Sequence, residues 1–125
     1  EAISYTKERR AFGQPLAKYE GISFKIAEDY TLLEAARLLS YRALWLRDQE
    51  LPHAKESAMC KWYGPKVAVR VIHDALLMHG HVGYSEEYPL QQRLKEAIGF
   101  EIADGTAEIM KLIIVRELLG KEYVV

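Results

Sequence analysis

Apolar residues recur at every third or fourth position along most of this chain, and polar or glycine-containing breaks divide the pattern into five helical segments. The first spans about residues 1–10, with Ile3 and Tyr5 on its apolar side and a basic end at Lys7, Arg9 and Arg10. Phe12-Gly13-Gln14-Pro15-Leu16 then turns the chain, because Gly13 permits positive φ and Pro15 suits the first turn of a new helix. A long helix over about 16–48 follows, marked by Ile22, Ile26, Tyr30, Leu33, Ala36, Ala43 and Leu46, with Glu34 and Arg37 placed to pair on its outer side. At the usual rise it extends roughly 45 to 50 Å, a length that only a bundle or a larger assembly buries.

Leu51-Pro52-His53 closes that helix, and the spacing predicts another over 54–79. Gly64-Pro65 falls inside it, and an interior proline costs about 3 kcal/mol in a regular helix, so a kink is expected near residues 60–64. Residues 80–85 read as a loop, Pro89 as the start of a fourth helix over 90–103, and Asp104-Gly105 as the break before a fifth over 106–119. No strand is predicted, and neither repeats nor low-complexity tracts occur. The expected fold is therefore all-α, one domain over 1–125, an up-and-down four-helix bundle with a short extra C-terminal helix.

Composition adds exclusions. Half the residues are apolar, and 17 basic side chains are balanced by 18 acidic ones dispersed among them, which leaves no basic face for nucleic acid. No apolar run approaches a membrane span, and no signal-peptide pattern is present. The single cysteine, Cys60, beside Met59 and Trp62, reads as a packed thiol in a reducing compartment. His79 and His81 lack a third ligand nearby, so no metal site is expected. The chain begins as though already in a helix and is expected to be a piece of a longer protein.

One break stands out chemically. Asp104-Gly105-Thr106 lies between two strongly apolar stretches, and a carboxylate half buried between Ile98, Phe100, Ile102 and Ile109 would have a raised pKa, suited to taking a proton from carbon. The competing expectation is that Asp104 only caps the last helix.

Four separated signatures, in order, resemble the C-terminal helical domain of the flavin-dependent acyl-CoA dehydrogenases. They are Tyr5-x-x-Glu8-Arg9-x-x-Phe12-Gly13-x-Pro15-Leu16, the long helix after it, Gly80-x-x-Gly83-Tyr84-x-x-Glu87-Tyr88-Pro89, and Asp104-Gly105-Thr106-x-x-Ile109. The correspondence covers essentially the whole chain. It implies FAD as cofactor, acyl-CoA as substrate, an electron-transfer flavoprotein as acceptor and a homo-oligomer, often a tetramer. The compartment implied is the cytoplasm in a bacterium or the mitochondrial matrix in a eukaryote.

By the same resemblance, Arg9 reaches the flavin diphosphate of a neighbouring subunit, and Phe12 packs beside that cofactor. The stretch from Leu77 to Gly83 lays its backbone along it, with Gly80 allowing close approach. Glu20 corresponds to a position near the adenine, and Thr106 and Glu108 to positions near the flavin. Four residues depart from the usual pattern: Glu20, Leu77 and Glu108 stand where glutamine is common, and His81 where a second glycine is usual. Asp104 matches the family's glutamate base, which removes the acyl α-proton. Aspartate is one methylene shorter, drawing its oxygens back by about 1.3 to 1.5 Å, a displacement that can cost about a hundredfold without readjustment. A cyclic or branched acyl group, another carbon acid handled by an oxidase of the superfamily, or a purely structural bundle are the corresponding alternatives. Some relatives carry the base upstream and leave this position without a carboxylate; Asp104 keeps one, which favours it as the base.

Overall fold

The computed structural model describes residues 1–124. Six helices dominate: α1 (Ala2–Glu8), α2 (Glu20–Asp48), α3 (Ala54–His79), α4 (His81–Tyr84), α5 (Leu90–Ile102) and α6 (Ala107–Leu119), with short 3-10 turns at Leu16–Lys18 and Lys121–Tyr123. The all-α expectation holds, with one helix at the centre. α2, α5 and α6 each pack along α3, and α1 and α4 close on it, whereas the three outer helices meet one another at most at their edges.

α2 runs antiparallel to α3, and the cross-links record it. Lys25 pairs with Asp74, Arg70 with Glu28, and Arg42 with Glu56, so that advancing along one helix means retreating along the other. The Glu34–Arg37 pair forms at 2.8 Å as its spacing implies. The buried apolar core is thin, built from small and medium residues such as Ala43, Leu46, Ala58, Val67, Met78, Leu90 and Ala97, while Phe24, Tyr41, Trp45, Phe100 and Leu118 are exposed. Bury-one-face helices normally cover such side chains; here much apolar surface is left on the outside.

Several local expectations change. α2 begins at Glu20, since Pro15 lies in extended backbone and Leu16–Lys18 wind as a 3-10 turn first. The predicted turn at Phe12-Gly13 is the tip of a two-stranded antiparallel hairpin, β1 (Arg10–Ala11) and β2 (Gln14–Pro15), which corrects the expectation of no strand. Phe12 and Gly13 have φ of 48° and 84°, the pair of positive values that a two-residue hairpin turn matching strand twist requires. α3 continues as helix through Pro65. The predicted loop over 80–85 contains α4, because Gly80 (φ 61°, ψ −137°) reverses the chain and Gly83 lets the new turn fold tightly onto α3. A Cβ at Gly83 would stand 2.7 Å from His79 Cβ and 2.8 Å from the Leu76 carbonyl oxygen, so only glycine fits.

Candidate functional site

The chemistry-bearing residues fall at two places along α3. At its C-terminal end, His79 is 3% exposed, its Nδ1 donating to the Ala75 carbonyl at 2.6 Å. Tyr5 of α1 stacks on its ring at 4.1 Å and donates its hydroxyl to the His79 carbonyl at 3.2 Å, and the Tyr88 ring lies tilted against His79 at 5.1 Å. This cluster seats α1, so the hairpin that follows it is carried on the same end. Tyr19 Oη donates to the Ala11 carbonyl at 2.7 Å and Arg10 Nη2 to the Gly13 carbonyl at 2.6 Å, which braces the hairpin.

The brace presents Phe12 outward. Its side chain is 98% exposed, on a residue held at positive φ. That conformation costs a non-glycine residue about 1 to 2 kcal/mol, and strain of this kind concentrates at functional positions. Arg9 ends α1 with an exposed side chain that forms no ion pair within 4 Å among the described residues. Leu77, Gly80 and His81 are exposed at the C-terminal end of α3, and Glu20, exposed at the start of antiparallel α2, lies level with that end. Six of the nine sequence-predicted site residues, Arg9, Phe12, Glu20, Leu77, Gly80 and His81, thus share one end of the molecule.

Asp104, Thr106 and Glu108 sit elsewhere. The loop between α5 and α6 is held by Lys61, whose Nζ donates to the Phe100 carbonyl at 2.6 Å and the Gly105 carbonyl at 3.3 Å. From Lys61 to His79 along α3 is about 27 Å at the usual rise. Asp104 adopts φ 56° and is exposed, and Ile98, Phe100, Ile102 and Ile109 are exposed too. The half-buried aspartate between apolar walls is therefore corrected: those side chains point outward from this chain and do not enclose the carboxylate. Nor is Asp104 the cap of the last helix, for Thr106 occupies that place. Thr106 borders a cleft of about 380 Å³ with Lys61, Trp62, Lys66, Glu108 and Lys111. The Glu108 carboxyl is held below its usual pKa by its own backbone amide at the start of α6, then by the Thr106 hydroxyl, with Lys111 3.9 Å away. Among the described residues, no group of three metal-ligating side chains occurs.

The sequence reading missed the buried polar seam between α2 and α3. Asp29, Glu56 and Asp74 are all buried there. A signal existed for Asp29, which falls three residues after Ile26 and four before Leu33, on the apolar stripe itself.

A family model for the acyl-CoA dehydrogenase C-terminal domain matches residues 1–119. The chain belongs to the acyl-CoA dehydrogenase family. It is 40% identical over 118 residues to the bovine mitochondrial short-chain specific acyl-CoA dehydrogenase, covering 94% of this chain and 29% of that protein. Butyryl-CoA dehydrogenase from Megasphaera elsdenii superposes with a TM-score of 0.92 at 37% identity, over 94% of this chain and 31% of that one. The FAD complex of PigA does so at 0.92 and 32% identity, over 96% of this chain and 31% of that one. The chain thus spans about a third of the length of the acyl-CoA dehydrogenase relatives it matches. No described helix is long and apolar enough to cross a membrane.

The residues present fit part of a dinucleotide cofactor's needs. An exposed guanidinium at Arg9 suits a diphosphate, the exposed Phe12 offers an apolar face, and the space beside Gly80, where a Cβ would meet nothing within 4 Å, is open to a ligand's backbone approach.

Proposed function

We propose that these 125 residues are the C-terminal domain of a longer FAD-dependent acyl-CoA dehydrogenase, with Asp104 as the base that takes the α-proton of an acyl-CoA thioester. The carrying observation is Asp104 itself: an exposed carboxylate, set at positive φ in a loop that Lys61 anchors, at the position that the Asp104-Gly105-Thr106 resemblance matches to the family's base. FAD, when bound, supplies the acceptor for the hydride that leaves the β-carbon. Asp104 Oδ accepts the proton from the α-carbon, the electron pair released there becomes the α,β-double bond, and the carboxylic acid later returns its proton to water. Thr106 and Glu108 hold the polar edge of the same loop.

Arg9, Phe12, Gly80, Leu77, His81 and Glu20 would hold the diphosphate and adenine half of a cofactor belonging to a neighbouring subunit, since about 27 Å of α3 separates them from the Asp104 loop. A homo-oligomer follows from that division of labour, and an electron-transfer flavoprotein is the expected acceptor. The 125-residue chain alone is expected to be inactive, because it contributes only part of each site. The location follows the source: cytoplasm for a bacterial enzyme, mitochondrial matrix for a eukaryotic one. A second reading, an oxidase of the superfamily acting on another carbon acid, is favoured only by aspartate in place of glutamate.

The test is to prepare the full-length protein with FAD and offer it straight-chain, branched and cyclic acyl-CoA thioesters, following loss of flavin absorbance anaerobically. Bleaching by at least one thioester, with an enoyl product, is expected. No bleaching by any of them, with reduction by a nitroalkane or another carbon acid, would transfer the assignment to the oxidase.

A further inference from the structure

Lys61 of α3 is half-buried and carries its ammonium into the loop between α5 and α6. Glu101 and Glu108 line the same cleft, yet Lys61 forms no ion pair within 4 Å among the described residues, and its partners are two neutral carbonyls. α5 closes with the Ala103 amide donating to the Gly99 carbonyl, and the next carbonyl in the ladder, that of Phe100, accepts from Lys61 at 2.6 Å. The last turn of α5 has no basic residue of its own, so this ammonium from α3 also stands where the negative end of that helix favours a cation. Gly105, whose carbonyl accepts from Lys61 at 3.3 Å, directly precedes Thr106 at the start of α6. One nitrogen therefore ties the end of α5 to the entry of α6, and Asp104 lies between its two attachments.

We infer that Lys61 is a positioning residue for the Asp104 carboxylate, an inference that rests on Asp104 being the base of the proposed dehydrogenase. The reason lies in the reach of the side chain. An aspartate oxygen is placed by χ1 and χ2 alone, so it cannot make good a backbone shift as a longer glutamate can. Its position is then that of the loop. Asp104 and Gly105 have φ of 56° and 104°, and the ladders of α5 and α6 stop on either side of them. The Lys61 tie carries the geometry of α3 across this gap. A misplacement of about 1 Å at a reacting group can cost about a hundredfold in rate, so losing the tie acts on proton removal and not on stability alone. Lys61 touches neither substrate nor proton; it acts through Asp104.

The test is single-turnover flavin reduction by the full-length holoenzyme, with rates taken per bound flavin. Lys61→Met keeps the stem and removes the donors. It should slow reduction by about tenfold or more while a product analogue binds within about twofold of wild type. Lys61→Arg, which keeps the charge and the donors, should recover part of that loss. Made in the Asp104→Asn background, Lys61→Met should slow reduction no further, because its effect passes through the carboxylate. A lower Tm with the rate per flavin unchanged would reduce Lys61 to a structural tie and overturn the inference, as would an equal fold-loss in both backgrounds. Where Lys61→Met binds no flavin, Lys61→Gln, with a shorter donor, takes its place under the same expectations. Reduction at the wild-type rate by Asp104→Asn would instead remove the base itself, so the two failures are distinguishable.

Discussion

The two ends of α3 are built by opposite means. At Gly83 the chain closes on itself through hard contacts: the Tyr5–His79–Tyr88 cluster, the Tyr5 hydroxyl on the His79 carbonyl, and a glycine whose hydrogen faces backbone. At Asp104 the loop is exposed, and two carbonyls accepting from one lysine hold it to α3. The first end is a rigid platform that carries Phe12 and Arg9 outward. The second carries a carboxylate whose surroundings this chain leaves open. A platform needs shape and tolerates no added atom, whereas an exposed loop held by one lysine keeps some freedom.

Breaking the platform should have the largest effect. Gly83→Ala puts a methyl within 2.8 Å of the Leu76 carbonyl oxygen, and backbone cannot step aside as a side-chain tip can. A loss of about 2 to 3 kcal/mol is expected, read as a lower denaturant midpoint with an unchanged slope. A midpoint equal to wild type would mean that α4 lifts away freely.

Loosening the loop should cost less. Lys61→Met keeps the stem's packing but removes the donors to Phe100 and Gly105, for about 1 to 2 kcal/mol, since the lysine is only half buried. Amide exchange over residues 103–107 should quicken while that of α1 stays unchanged. Equal acceleration at both ends would dissolve the contrast between them.

The smallest effect concerns Glu108. Its folded pKa is lowered, first by its own amide and then by Thr106, so its contribution to the α6 end is present above the unfolded pKa near 4.5 and is lost as pH falls through the lower folded value. Thr106→Val should raise the Glu108 midpoint measured by carboxyl carbon NMR. A midpoint that does not move would assign the lowering to the amide alone.

Much of this fold is legible in the residues. The ends of α3 at Ala54 and His79 follow from Pro52 before it and Gly80 after it, and Glu34 with Arg37 from helical spacing. The hairpin was hidden because two-residue strands carry no alternation to read, and what marks it is a pair of positive φ values at Phe12 and Gly13. Asp104 misled for a different reason. Ile98, Phe100, Ile102 and Ile109 have the composition of a core, but apolar residues near a break need not face inward, and each of these leaves 43 to 67% of its surface exposed. The site's separation into two groups was not readable either, because motif order along a chain does not give distance along α3. Asp29 could have been found, since a carboxylate on an apolar stripe is visible in its spacing.

The most direct measurement of the central claim is single-turnover flavin reduction by the full-length enzyme carrying Asp104→Asn. The amide keeps the shape and removes the base, so the rate with the best acyl-CoA substrate should fall by at least about a hundredfold, the lower bound of a general base's usual contribution, while a product analogue still binds. Reduction at the wild-type rate would contradict the account, leaving Asp104 as a turn residue and placing the base in another part of the protein.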